Sequence, residues 1–236
     1  MTNPGGALSI EDVLATSYLS AVPPSEATKA NSALLLVDIQ HLAEPAYLAS
    51  KAVKAGLPEG AVADALADYD ARFKRALSNC VKVLETARAH GVAPVHVKIQ
   101  SLSSCARDTG ALHRRLGWRF PPGDPATEFL PETAPLPGEI VITKTASGSF
   151  AGTSLDSTLR NMGVEHLFIC GFVADECVET TARAALDLGY VVKIVSDGTT
   201  TYRADAAAYT INKFTGFGFT MSAEDVIELF ARMPEA

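Results

Sequence analysis

Apolar runs of five to eight residues recur along this chain at 33–37, 92–99, 138–143, 166–170 and 190–196, and stretches of helical periodicity separate most of them. Runs this short and unbroken suit strands covered on both faces, as in parallel sheets, better than strands with one wet face. Alternation of such strands with helices then fixes the fold class as α/β. The expectation is a doubly wound, mostly parallel sheet of about six strands, the last over 218–220, with helices on both faces in a three-layer, Rossmann-like arrangement.

The helical stretches carry their own punctuation. Residues 67–89 place Phe73, Leu77, Val81, Leu84 and Ala87 on one face, and Gly91 follows where the helix should stop. After the fourth run, Val178, Ala182, Ala185 and Leu186 repeat at helical spacing up to Gly189. Further helices are expected from 153 to near Gly163, over 204–213, and from Ser222, a cap with Glu224 and Asp225 behind it, to Met233. Residues 1–30 read as an N-terminal extension with a short helix over 10–19 capped by Ser9, and 31–236 as one domain. The stretch 40–66 reads as irregular or short helical structure broken at Gly56-Leu57-Pro58. Residues 100–137 lack periodicity; a segment that long inside a compact domain is either a pocket wall or a subunit contact.

Composition excludes several partners. A net charge of −7 with no basic run argues against nucleic acid or an anionic membrane surface. No apolar run reaches the roughly 18–20 residues of a membrane span, and M-T-N-P-G-G-A lacks the order of a signal peptide. Cys80, Cys105, Cys170 and Cys177 have neither C-x-x-C spacing nor flanking histidines, so neither a metal site nor a disulfide framework is expected. The expected compartment is the cytoplasm.

Chemistry enters at the strand ends. Asp38 closes the first run, Lys144 the third, and Cys177 follows the fourth at the start of a helical pattern. Each alone has a bland reading: a turn aspartate, a solvated lysine, a small apolar cysteine. In a parallel sheet all three ends fall on one edge, where open α/β sheets place ligands, and that brings an acid, a cation and a thiol into one crevice. A thiol beside a cation at a helix start is expected to be acidic. His96, alternating with apolar residues, reads as a hydrogen-bonded core or interface histidine.

The motifs L-L-L-V-D-I-Q, V-I-T-K-T-A-S-G-S-F-A-G-T-S-L-D-S-T-L-R-N-M-G-V and I-C-G-F-V-A-D-E-C-V-E-T-T-A-R-A-A-L-D-L-G-Y-V-V-K-I-V-S-D stand in order over about 31–221. Together they resemble the isochorismatase-like cysteine hydrolases. The resemblance implies Cys177 as nucleophile, Asp38 as the base that takes its proton and Lys144 as the cation beside both. It also implies a non-proline cis peptide between Phe172 and Val173, with the N–H groups of Val173 and Cys177 as an oxyanion hole. Q-S-L-S-S-C-A-R-D lacks the histidines of the nicotinamidase metal motif, and isochorismatases proper lack the cysteine. What remains resembles the metal-free amidases, which need no cofactor and cleave small linear amides, ureido or N-carbamoyl groups through a thioester. Ala174 departs from the threonine frequent in relatives. Substrate-facing candidates are Gln40, Arg107, Trp118, Ser147, Phe150 and Tyr202, with His113 and Arg115; the charged ones among them serve equally well as loop anchors for salt bridges. The resemblance further implies a homodimer or homotetramer, with His96 and 100–137 as contact regions. A non-catalytic binding or partner protein on the same fold is the alternative.

Overall fold

The apolar runs become strands β1 (Ser32–Val37), β2 (Ala93–Ile99), β3 (Ile140–Lys144), β4 (His166–Phe172) and β5 (Val191–Thr200), joined by a short β6 (Thr220–Met221). The computed structural model describes residues 8–10, 12–13, 25–216 and 218–235. Every strand pairs in parallel, in the order β3-β2-β1-β4-β5-β6. The chain therefore winds outward twice from the middle, and the strand order reverses between β1 and β4, the position where such sheets open a crevice. Most of the 10–19 helix expected in the extension lies outside the described residues.

Period-two alternation explains the two cores. Leu34 and Leu36 of β1, with Phe168 and Cys170 of β4, face one side; Leu35 and Val37, with Leu167 and Ile169, face the other. The first side is covered by α2 (Glu59–His90), through Phe73, Cys80 and Leu84, and by α7 (Ala223–Arg232), through Val226 and Phe230. The second is covered by α4 (Leu155–Asn161), through Leu155 and Leu159, and by α5 (Glu179–Asp187), through Ala182 and Ala185. The remaining helices are α1 (Pro45–Lys54), a short α3 (Ala111–Arg115) and α6 (Ala204–Thr215). None of the helices among the described residues is long and apolar enough to cross a membrane.

Several expectations shift. The 40–66 stretch contains all of α1 and the start of α2, which begins at Glu59 rather than near residue 67. Pro58 supplies the break, and Val62 and Tyr69 carry the buried stripe into the first turns, so Gly60 and the exposed alanines around Val62 still form helix. Strand β5 runs through Asp197 to Thr200 instead of ending at Asp197, because a register shift opposite Ile169 and Gly171 lets it pair again at Thr199 and Thr200. His96 is a core residue: it is buried, with Nε2 2.9 Å from Glu139 Oε2, and Arg88 from α2 grips the other carboxylate oxygen at 2.8 Å. That removes it as a contact region.

Two backbone positions set the crevice. Asp38 has φ 52°, a left-handed turn that aspartate tolerates better than most residues, and its N–H donates to Val97 O at 3.0 Å. Gly171 has φ +120°, and a Cβ built there would lie 2.0 Å from the Val37 carbonyl oxygen. Glycine alone lets β4 pass β1 this closely. Gly171→Ala is expected to destabilise the fold by at least about 2 kcal/mol, read as a lower urea midpoint; a midpoint equal to that of the parent would mean the strands separate without penalty.

Candidate active site

Three strand ends meet at the crevice. Asp38 follows β1, Lys144 is the last residue of β3, and Cys177 follows β4; they are 1%, 1% and 3% exposed. Strand β2 lies between β1 and β3, so Lys144 spans it with its full side chain. Its Nζ reaches 2.8 Å from Asp38 Oδ2 and 3.4 Å from Cys177 Sγ. The same ammonium donates to the carbonyls of Ala146 and Ser147, each at 2.9 Å. Asp38 Oδ1 is buried without a hydrogen-bond partner among the described protein atoms.

Cys177 does not open an α-helix as expected. It sits in a π turn, Ala174–Val178, whose wide loop is closed by the Val178 N–H on the Val173 carbonyl at 3.2 Å, and α5 begins only afterwards. The Phe172–Val173 peptide leading into this turn is cis.

The electrostatics correct the expected acidic thiol. Burial pushes the Cys177 thiol far up, and the Asp38 carboxylate adds to that push; Lys144 opposes both and is outweighed. Burial also raises the Asp38 carboxyl against the pull of Lys144. For Lys144, burial favours the neutral amine, yet Asp38 and Cys177 turn the net direction upward. Burial and the neighbouring carboxylate thus disfavour the thiolate of Cys177, while burial makes Asp38 more basic than an ordinary carboxylate.

A small pocket of about 20 Å³ reaches Asp38 and Cys177, walled otherwise by Leu42, Ala43, Ile99, Trp118, Phe172, Val173, Glu176 and Tyr202. Leu42, Trp118 and Tyr202 also line a wider bowl of about 810 Å³ outside it. One side of the bowl comes from residues 41–54 and the other from Leu116, Trp118, Arg119, Phe120 and 124–126, so the 116–126 part of the 100–137 segment lines it. Arg72 fixes the Tyr202 loop, donating to the carbonyls of Thr201 and Tyr202 at 2.5 and 2.9 Å.

Of the substrate-facing candidates, Trp118 and Tyr202 are at the pocket and the others are not. The Gln40 amide is spent on the backbone, accepting from Ile99 N–H at 2.8 Å and donating to Thr127 O at 2.6 Å. Ser147 contributes its carbonyl to Lys144, Phe150 packs on the Tyr190 ring with centroids 5.8 Å apart, and Arg107 and Arg115 are exposed away from the pocket. His113 is buried behind Trp118, rings 5.4 Å apart, and is held neutral with its pKa at about 4 by burial and then by the charge of Lys144. Leu42, Ala43, Ile99 and Glu176 escaped the sequence reading. Glu176 alone left a signal, as the carboxylate directly before the cysteine.

Parallel order, strand-end trio and crevice together define an α/β site that brings a thiol, a carboxylate and an ammonium together. The chain belongs to the isochorismatase family: the Isochorismatase domain matches residues 32–225. A ureidoacrylate amidohydrolase RutB of Variovorax paradoxus (strain S110) is 35% identical over 117 residues, 49% of this chain and 44% of that protein. The chain thus spans about half the length of such curated relatives. Among solved structures, a cysteine hydrolase from Pseudomonas syringae pv. phaseolicola 1448A superposes with TM-score 0.71 at 21% identity, covering 90% of this chain and 98% of that one. An N-carbamoylsarcosine amidase from Thermoplasma acidophilum gives TM-score 0.61 at 25% identity, over 82% and 97%. Among the described residues no group of three or more His, Cys, Asp or Glu side chains is placed to hold a metal ion.

Two measurements check this geometry. Lys144→Met leaves a buried carboxylate unpaired and is expected to lose about 3 kcal/mol of stability, part of it recovered when Asp38→Asn is added. Iodoacetamide mapping between about pH 6 and 9 is expected to label exposed Cys105 ahead of Cys177; Cys177 reacting first at neutral pH would mean a stabilised thiolate.

Proposed function

We propose that the protein is a cysteine amidohydrolase cleaving the C–N bond of a small linear amide, ureide or N-carbamoyl compound. The observation that carries this reading is the single ammonium, Lys144 Nζ, lying 2.8 Å from Asp38 and 3.4 Å from the Cys177 thiol, the two residues of the trio that line a pocket. The names of relatives support it: ureidoacrylate amidohydrolase by sequence and N-carbamoylsarcosine amidase by fold.

Asp38 takes the thiol proton as sulfur attacks the carbonyl carbon. Because the resting thiol is held protonated, transfer and attack are coupled: the thiolate forms only when a carbonyl is in place. Lys144 compensates the negative charge as it moves from Asp38 to sulfur and on to oxygen. The N–H groups of Val173 and Cys177 receive the oxyanion; one such donor is typically worth about 2.7–4 kcal/mol. Asp38 returns the proton to the leaving nitrogen, then takes one from water as it attacks the thioester, which releases the acid and restores the thiol. Four free cysteines suit a reducing compartment, and the reading places the enzyme in the cytoplasm as a homodimer or homotetramer.

The experiment is ammonia release from a panel of small amides, ureides, N-carbamoyl compounds and nicotinamide after chelator treatment. Release that persists after chelation and falls by at least about a thousandfold in Cys177→Ala is expected. Turnover that survives Cys177→Ala would overturn the thiol mechanism, and no turnover of any member would favour a binding protein on this fold.

A further inference from the structure

The pocket wall says more about the substrate than the trio does. Beside the thiol it is aromatic, with Trp118, Tyr202 and Phe172, and its only charge among the described residues outside the Asp38–Lys144 pair is Glu176. That pair neutralises itself at 2.8 Å, and Lys144 already faces two carbonyls, a carboxylate and a sulfur, so it has no proton left for a substrate carboxylate. The exposed Arg107 and Arg115, named as substrate-facing candidates, are not part of this wall. Glu176 is half-buried; burial and then Asp175 push its carboxyl up, Lys144 opposes them, and its charge is felt by the Tyr202 hydroxyl. The outer bowl mixes Lys51, Lys54 and Arg119 with Glu44 and Asp124, so it favours neither sign.

A carboxylate that shares a narrow pocket with aromatic side chains, with no lysine or arginine in that pocket's wall among the described residues, suits an ammonium group. We infer that the substrate carries a cationic nitrogen, an ammonium or guanidinium, which Glu176 holds by charge and hydrogen bonding while Trp118 and Tyr202 cover it. This rests on the C–N hydrolase reading for the reaction but not for the binding. An anionic substrate meets the opposite situation: its charge enters a confined site against Glu176 and finds no partner.

Three linear primary amides of equal length separate the charges: β-alaninamide with a terminal ammonium, butyramide with a methyl and succinamate with a carboxylate. Trp118 is the only tryptophan in the chain and lines the pocket, so its fluorescence reports binding in the full-length Cys177→Ser protein. β-Alaninamide is expected to bind at least about tenfold tighter than succinamate, with butyramide between, and adding Glu176→Gln is expected to shrink that ratio about fivefold or more. Equal or reversed order, no binding of the cation, or a ratio unmoved by Glu176→Gln overturns the inference; if the double variant fails to fold, the order in Cys177→Ser decides. Wild-type turnover separates the two claims. Preferred binding of the cation with no ammonia from any of the three tells against the hydrolase reading alone, whereas preferred turnover of succinamate sinks the charge inference and leaves the hydrolase standing.

Discussion

The ion pair between Asp38 and Lys144 is the constraint to which the rest of the molecule is fitted. Two charges this deeply buried are tolerable only together, since either alone would carry a desolvation penalty of several kcal/mol. They come from strands that are not neighbours, so the pair exists only if β1, β2 and β3 keep their register, with Val37 beside Val97 and Ile99 beside Lys144. A slip of one residue would turn Lys144 to the opposite face of the sheet. Gln40 secures the same corner from the other side, stitching the backbone of Ile99 to that of Thr127.

The burial that demands this pairing also decides the state of the thiol. A cysteine at an exposed helix start would be steadied as thiolate by a nearby cation. Here Cys177 is enclosed, and the carboxylate of Asp38 adds to desolvation in favouring the protonated form. In the proposed mechanism Lys144 serves less to acidify sulfur than to hold the total charge of the site constant while a proton and an electron pair change places.

The sheet and the meeting of Asp38, Lys144 and Cys177 were legible because both depend on chemistry that repeats or stands at strand ends: unbroken apolar runs, and an acid, a lysine and a cysteine where parallel strands finish. The helix start at Glu59 was missed because residues 59–66 are mostly exposed, and exposed alanine-rich turns carry little periodic signal. The extension of β5 depends on a register shift against β4, which is a property of two segments and not of either sequence. Gln40, Ser147 and Phe150 sit within the telling motifs, yet their roles run through backbone carbonyls, amide-to-backbone bonds and ring packing. Residue type at a motif position does not reveal which of its atoms is used. Glu176 shows the converse: A-D-E-C suits a solvated helix start, and only the π turn brings the second carboxylate to the pocket while leaving Asp175 exposed.

The bowl outside the pocket is made of two walls, 41–54 with helix α1 and the 116–126 part of the long connection, neither of which adds a strand to the sheet. The two segments meet beside the sheet at the Gln40–Phe129 bridge, where the His41 N–H donates to Glu128 O and the Leu130 N–H to Ile39 O. The molecule is therefore divided into a part that tolerates almost no substitution and a rim that can be rewritten. Changes of size or polarity at Tyr47, Leu116 or Arg119 would retune which molecules reach the thiol without shifting an atom of the machinery beneath, so one scaffold can be diversified by exchanging its rim while its chemistry stays fixed.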